Sequence, residues 1–367
     1  MTRMHHHRLF FLFTLAAGLF LWNACEGDYR RSAQGGFSEI IVVMDSTEWD
    51  SPTADAIRAT FGRERMTLPR PEARYDLRFM DLRTNRDLEY VKNFKNTIFA
   101  APLEEESNVG AFIRAVMSDD IKQRIADGRN FAFPLKDRWY RDQWTLFLSA
   151  TDHETLSRRI RESEKSLVGY LDELERERWQ REIYRRGEQV HLADSLMKNH
   201  GFRIRVQHDY RIGVDTTNFV SMRRYLHDND RWIWFAWFDD KDGMDGIDQE
   251  WINAVRDSLN EKYIRGTREE SFVTTEYRRA IETIETRING KPALETRGTW
   301  RMTNDLMGGP FLHYTVYDEN QRRIYMMEFA QFAPRHSKRR FMNQFEAMAY
   351  TFETASPEEL EALAGSR

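Results

Sequence analysis

Cysteine is almost absent: Cys25 is the only one in 367 residues. No internal disulfide can form, so the folded chain has to be stabilised by ordinary packing. No serine sits in a nucleophile elbow; Ser221, Ser258 and Ser271 all lack the flanking glycines. His191, His200, His208, His227, His313 and His336 are scattered without metal-ligand spacing, and core or solvated histidines are the expectation. No metal, cofactor or catalytic residue is therefore assigned. No apolar run reaches the roughly 20 residues that a bilayer-spanning helix needs. Charge of one sign is not in excess either, with 55 Lys and Arg against 59 Asp and Glu. That balance argues against nucleic acid as a partner, because such binding favours concentrated positive surface. What is present is 41% hydrophobic and 13% aromatic residues, well above a disordered chain, over a length that suggests two domains.

At the N-terminus, Arg3 and Arg8 precede an apolar run over residues 9–21, the charged-then-apolar layout of a secretory signal. The run ends in Leu21, Trp22, Asn23, Ala24 and Cys25, with a small residue directly before the cysteine, and this resembles the lipobox of bacterial lipoproteins. Trp22 stands where lipoboxes usually place leucine. The resemblance implies cleavage before Cys25, diacylglycerol on its sulfur and acylation of the new amino group. Each buried methylene then adds about 0.8 kcal/mol, so several acyl chains anchor stably where one would not. An ordinary signal peptide with an incidental cysteine is the competing reading.

Residues 1–24 are thus read as a signal peptide and 25–36, polar and glycine-containing, as a tether. Residues 37–150 read as an N-terminal α/β or α+β domain. Glu39 to Met44 is a β-branched run, Ser51 and Pro52 open a helix, and Asn108 is placed to cap one reaching Ile125. Over residues 151–200, Leu156, Ile160, Leu167, Leu171 and Leu174 step at helical spacing. This predicts one long charged helix, or a pair broken near Gly187. Asp172 with Arg176 and Glu182 with Arg186 are opposite charges four apart, read as pairs on a solvated face. Residues 201–355 read as a C-terminal α+β domain, with strands around Phe202 and Phe219 and from Trp232 to Phe238, a helix capped by Asp248, a hairpin over Phe311 to Phe332, and a helix over Arg339 to Phe352. Residues 356–367 are a tail. The predicted fold is α+β, with two layered sheet-plus-helix domains joined by the long charged helical segment.

Two stretches invite chemistry. In the acidic loop over residues 239–246, counting from Asp240 places Met244 and Asp245 where an EF-hand needs an oxygen ligand and glycine, so a turn, not calcium, is expected. The segment from Arg297 to Phe311 is the most unusual. Its glycines could admit a ligand close to the backbone, with Arg297, Trp300, Asp305, Gly308 and Gly309 as candidate binding residues. It lacks the lysine and hydroxyl of a phosphate loop, and a strand-to-hairpin connection with a bulge is the competing reading. Arg335, His336, Lys338, Arg339 and Arg340 form a compact basic patch, either a solvated helix end or a lipid-headgroup contact.

Ile40 to Asp45 with Trp49, Asn289-Gly290-Lys291-Pro292, Arg297-Gly298-Thr299-Trp300, Gly308-Gly309-Pro310-Phe311 and Ala333-Pro334 together resemble an uncharacterised lipoprotein family of Bacteroidota, domain of unknown function 4837. The resemblance covers residues 37 to 352, and Gly-Gly-Pro-Phe is its most specific part. It implies a cell-envelope location with a lipid anchor in the outer membrane, and it transfers no catalytic residues. Glu26 and Asp28 resemble signals for surface display, interrupted by Gly27, so the side faced stays open. The expected protein is a non-enzymatic binding lipoprotein that meets the membrane through its lipid and an envelope protein as partner. The alternative is an envelope enzyme or small-ligand carrier with a pocket near Arg297 to Phe311.

Overall fold

The structure, a computed structural model, describes residues 29–226, 228–239 and 243–365. The signal peptide, Cys25 and the Asp240 to Asp242 part of the acidic loop lie outside the described residues. Two compact units emerge, one taking the chain up to Trp49 with Arg78–Asp152, the other Asp50–Leu77 with everything from His153. Residues 50–77, expected in the N-terminal domain, group with the second unit.

The first unit holds four strands of a five-stranded sheet and Arg78–Met80 of the fifth, in the order Asp76–Met80, Glu39–Val43, Asn96–Ala100, Trp144–Leu148, Ala132–Lys136. The three central strands run parallel, and the last pairs antiparallel. Their continuous apolar runs are buried almost throughout, as parallel strands covered on both faces require. One face builds a core from Ile41, Val43, Phe99 and Phe147 with Val109, Ile113 and Ile125. The helix expected from 108 to 125 is two, Asn108–Val116 and Asp119–Ala126, because Met117 turns extended and the Ser118 side chain accepts the Ile121 N–H to start the second. Part of the expected tether is bound into this unit: the Ala33 and Gln34 N–H groups donate to the Arg141 and Asn93 carbonyls at 2.9 and 2.6 Å, and Ala33 is buried.

The second unit is built on an eight-stranded antiparallel sheet in the order Val273–Thr275, Lys291–Met302, Gly308–Asp318, Arg323–Phe332, Asn229–Asp239, Phe219–Leu226, Arg211–Asp215, with Glu282–Ile288 also paired to Lys291–Met302. Strand alternation sorts its aromatics onto two faces. On one, Trp232, Trp234, Trp300, Phe311 and Met326 form a core with Ile252 of helix Gln249–Tyr263. On the other, Phe329 meets Phe345 of helix Arg339–Ala349 and Tyr314 meets Tyr350.

The charged segment is three helices, His153–Glu162, Glu164–Tyr184 and Val190–His200, and they belong to the second unit rather than serving as a linker. Helix 164–184 is partly interior: Glu175 and Arg178 are buried and paired at 2.6 Å, and Gln180 Nε2 donates to the Ala347 carbonyl at 3.0 Å. Asp172 bonds Arg74 rather than Arg176, and Glu182 bonds Arg185 at 3.1 Å rather than Arg186. For Asp172 a tertiary partner outcompetes the helical neighbour, whose pairing is worth only tenths of a kcal/mol, whereas Glu182 takes another neighbour, three residues away.

Candidate functional site

Arg297 and Trp300 share strand 291–302 but are three residues apart, so they point to opposite faces. Trp300 is fully buried, its ring 4.9 Å from that of Trp232. A Cβ on Gly309 would lie 2.0 Å from the Gln331 carbonyl oxygen and 3.0 Å from the Trp300 indole nitrogen. Gly309 is therefore glycine to admit a neighbouring strand and an indole. Gly308 pairs with Arg301, and the register from Arg301↔Gly308 to Ala293↔Val316 runs without a bulge. Asp305 sits in the connecting turn, 3.5 Å from Arg268. The structure brings Trp300, Gly308 and Gly309 together as neighbours on paired strands, and it places Arg297 on the opposite face and Asp305 in the turn.

Arg297 instead enters a buried network on the opposite face. It donates to Glu295 at 2.5 Å and to Glu346 at 2.8 Å, while the Tyr314 hydroxyl donates to Glu295 at 2.8 Å. Arg176 lies 3.8 Å from Glu346, its guanidinium 3.5 Å from the centre of the Tyr350 ring. Arg65 donates to Asn343 at 2.9 Å. Asp172 accepts from Arg74 and from the Tyr75 hydroxyl, the latter at 2.6 Å. Arg65, Arg74, Asp172, Arg176 and Glu346 line a cavity of about 20 Å³, room for about one water. This network stabilises the fold and leaves no space for a ligand. Burial opposes ionisation of Glu346, but Arg297, then Arg65 and Arg176, overcome it and hold its carboxyl at about 2.

The folded value thus lies below the ordinary one, so the stabilisation is complete above the ordinary carboxylate range and is lost as pH falls towards about 2. Glu346→Gln should accordingly show a flatter loss of stability than the parent from about pH 5 to about pH 2. Urea midpoints measured across that window check it; parallel curves would refute it.

A second cavity, of about 250 Å³, is lined by Arg186, Arg224, Arg231, Arg340, Gln207 and Gln344, among others. Its groups come from four distant stretches: the end of helix 164–184, the turn at 207–208, the strand pair 219–226 and 229–239, and helix 339–349, where Arg340 and Gln344 share a face at a spacing of four. Arg231 is 4% exposed. Its Nη1 donates to Gln344 Oε1 at 2.8 Å and its Nε to Asn229 Oδ1 at 3.1 Å, and it lies 4.3 Å over the Phe341 ring. All of these partners are neutral. Among the described residues no carboxylate lies within ion-pair distance of it. Arg224 is held by Asp209 Oδ2 at 2.6 Å, and Glu182, which also lines the cavity, bonds Arg185. Burial lowers the Arg231 pKa to about 10, partly offset by Tyr210 and Asp209, with Arg224 and Arg340 lowering it further, so the guanidinium stays charged at neutral pH. Burial likewise pushes the Tyr210 hydroxyl up to about 12.

Unused guanidinium donors around a cavity of this size recognise anions. Sequence spacing missed the site because its residues converge only in three dimensions. The available signal was an arginine set directly before the apolar strand Trp232 to Phe238. The basic patch is split by the fold: Arg340 reaches this cavity, Arg339 pairs with Asp76, and the Lys338 ammonium donates to the Ala333 and His336 carbonyls.

Most of this cavity lies in one recognisable stretch. Residues 189–351 match the domain of unknown function DUF4837. Residues 33–184 match a second, DUF8532. The chain thus combines two uncharacterised domains, and the resemblance that spanned residues 37 to 352 divides between them. Gln207, His208, Arg224, Arg231, Arg340 and Gln344 fall in the DUF4837 stretch, and Glu182 and Ile183 in the DUF8532 stretch. A comparison with curated proteins finds no match. Among solved structures, a point mutant of the protein Mog1 and the Saccharomyces cerevisiae Ran-binding protein Mog1p are each 8% identical, with TM-score 0.28, covering 43% of this chain and 93% of theirs. A Bacteroides thetaiotaomicron protein is 9% identical with TM-score 0.25, covering 43% of this chain and 46% of its own.

Proposed function

We propose that this chain is a lipid-anchored envelope protein that acts by binding rather than catalysis, and that its DUF4837 domain takes an anionic ligand in the Arg231 cavity. One observation carries the binding assignment: a buried, charged arginine whose hydrogen-bond partners are all neutral, facing a cavity of about 250 Å³. Burying a charge with no carboxylate at ion-pair distance is costly, and Asp209, acting on Arg231 from further away, offsets it only in part. An arriving anion supplies the missing partner through charge-assisted hydrogen bonds to the guanidinium groups. The anchor is supported by the signal-like leader and the lipobox-like run ending at Cys25. Arginines on Arg231's flanks give the site further donors for an anion.

Two arms test this. Cells fed a clickable palmitate analogue should label the parent and not Cys25→Ser, and an unlabelled parent refutes the anchor. Inorganic phosphate should stabilise the protein by about 2.7 kcal/mol at a hundredfold excess over Kd, and Arg231→Gln should abolish the response. A parent that no anion stabilises, or an Arg231→Gln protein that responds equally, refutes the site.

A further inference from the structure

The chain is tied into the first unit from Arg31 onward. The Arg31 carbonyl accepts the Arg141 N–H at 3.0 Å, the Ala33 N–H donates to the Arg141 carbonyl at 2.9 Å, and the Gln34 carbonyl accepts the Lys95 N–H at 2.8 Å. The Lys95 ammonium donates to the Ala33 and Gly35 carbonyls, both at 3.1 Å. Six peptide steps therefore join Cys25 to the fixed backbone at Arg31, and such a stretch spans at most about 20 Å. A unit of about 100 residues has a radius of gyration of about 13 Å and so measures roughly 35 Å across. With lipid on Cys25, the end of the unit that holds Arg31 is the end that meets the bilayer, and the far end cannot reach it.

That end is defined by the sheet. Strands 39–43, 96–100 and 144–148 run parallel, and their N-terminal ends lie together with the turn 137–143 that follows antiparallel strand 132–136. Arg31, Arg138 and Arg141 stand there, all exposed, and among the described residues none has a carboxylate within ion-pair distance. Of the acidic groups at the same end, Glu39 is taken by Arg78 at 2.5 Å and Glu89 by Lys92 at 2.7 Å. The remaining acids there, Asp137 and Asp142, are outnumbered by Arg30, Lys95, Lys136 and the three arginines. Tyr90, 55% exposed, lies at this end too, its ring 5.1 Å from that of Phe94, and an amphipathic ring of this kind suits the headgroup level. The segments that follow the C-terminal ends of the same strands carry the opposite sign, with Asp45 and Glu48 after strand 39–43 and Glu104 and Glu106 after strand 96–100.

Resting on the reading of Cys25 as a lipid-bearing residue, we propose that this end of the first unit is a membrane-contact face whose partner is an anionic lipid surface. Arg31, Arg138 and Arg141 lie against headgroup phosphates of the bilayer that holds the acyl chains. Each basic residue near such a surface favours contact by about fivefold, and the attraction fades within a Debye length of about 8 Å at physiological salt. The tether brings the arginines near the bilayer, and their charge closes the remaining distance.

Cys25 is the only cysteine, so with lipid on it an engineered cysteine takes a fluorophore at one place. Labels at Tyr90→Cys, on the contact end, and at Glu104→Cys, on the far end, are read in the lipidated protein reconstituted into phosphatidylcholine vesicles with a nitroxide quencher on some headgroups, with and without phosphatidylglycerol. In vesicles containing phosphatidylglycerol the Tyr90→Cys label should be quenched and the Glu104→Cys label should not. Arg31→Gln, Arg138→Gln and Arg141→Gln combined should shift the ratio of contacting to non-contacting protein by about a hundredfold away from contact, so that quenching falls to its level in pure phosphatidylcholine. Salt at about 1 M should do the same. Equal quenching of the two labels, quenching that does not depend on phosphatidylglycerol, or quenching that the triple variant retains overturns the contact face and leaves the anchor standing. A protein that carries no lipid overturns the anchor and the face together.

Discussion

Replacing Glu328 with alanine should destabilise the second unit by about 3–5 kcal/mol, the cost of leaving one partner of a buried ion pair alone. Glu328 and Arg256 are both fully buried. Arg256 comes from helix 249–263 and Glu328 from strand 323–332, so the pair joins helix to sheet. Two guanidinium nitrogens donate to the carboxylate, Nη2 at 3.0 Å to Oε1, and Nη1 donates to Thr275 Oγ1 at 2.6 Å. The guanidinium also lies 3.6 Å over the Phe311 ring. His313 Nδ1 is 3.7 Å from the same carboxylate. Burial, against the pull of Glu328, lowers the His313 pKa, which keeps the ring neutral and leaves Arg256 as the sole charged partner of Glu328 among the described residues.

Without Glu328 the Arg256 charge keeps only the longer contact of its Nη1 with Asp257 Oδ1, 3.8 Å away, in a medium that hardly solvates it. At about 2–4 °C per kcal/mol for a unit of this size, Tm should fall by roughly 10 °C. Arg256→Met combined with Glu328→Leu should recover most of the loss, since well-packed apolar replacements of a buried pair are often neutral or better. Thermal unfolding of the two proteins decides it. A Glu328→Ala protein that melts with the parent would show that the pair does not hold the helix.

Trp300→Ala should cost a similar amount, about 3–5 kcal/mol, because a large ring is removed from a filled core that only partly relaxes. Its indole packs against Trp232 and, with ring centres 6.4 Å apart, Phe332. Gly309→Ala should cost about 1–3 kcal/mol through overpacking. That substitution should remain unfavourable in the Trp300→Ala background, since the closest atom to the added carbon is the Gln331 carbonyl oxygen, at 2.0 Å. Denaturant midpoints for the two single variants and the double variant measure this directly. If Gly309→Ala became harmless once the indole was gone, the backbone contact would not be the obstacle.

The positions that sequence reasoning picked in this stretch are therefore positions of unusual packing rather than of ligand contact. Paired glycines beside a tryptophan look the same in sequence whether the backbone must approach a ligand or another strand. Only the neighbour across the sheet distinguishes the two. The caps show a milder form of the same limit. Ser51 accepts the Ala54 N–H and Asp248 that of Trp251, as expected. Ser107, not Asn108, caps the helix at 108–116 by accepting the Gly110 N–H, and Asn108, inside the helix, donates its amide to the Leu82 carbonyl.

By itself the sequence determined the mixed α+β class, the presence of buried strands in the first unit, the hairpin at 308–332 and the helices flanking it. Each depends on residue order within about a dozen positions: apolar runs, alternation, and turn or cap residues at fixed offsets. Tertiary structure alone decided that residues 50–77 join the second unit, that the charged helices turn Glu175 and Arg178 inward, and that Arg186, Arg224, Arg231 and Arg340 converge with Gln207. The physical reason is common to all three. A charged side chain has the same local pattern on a solvated face and in a buried network, and its surroundings are set by partners far away in the chain.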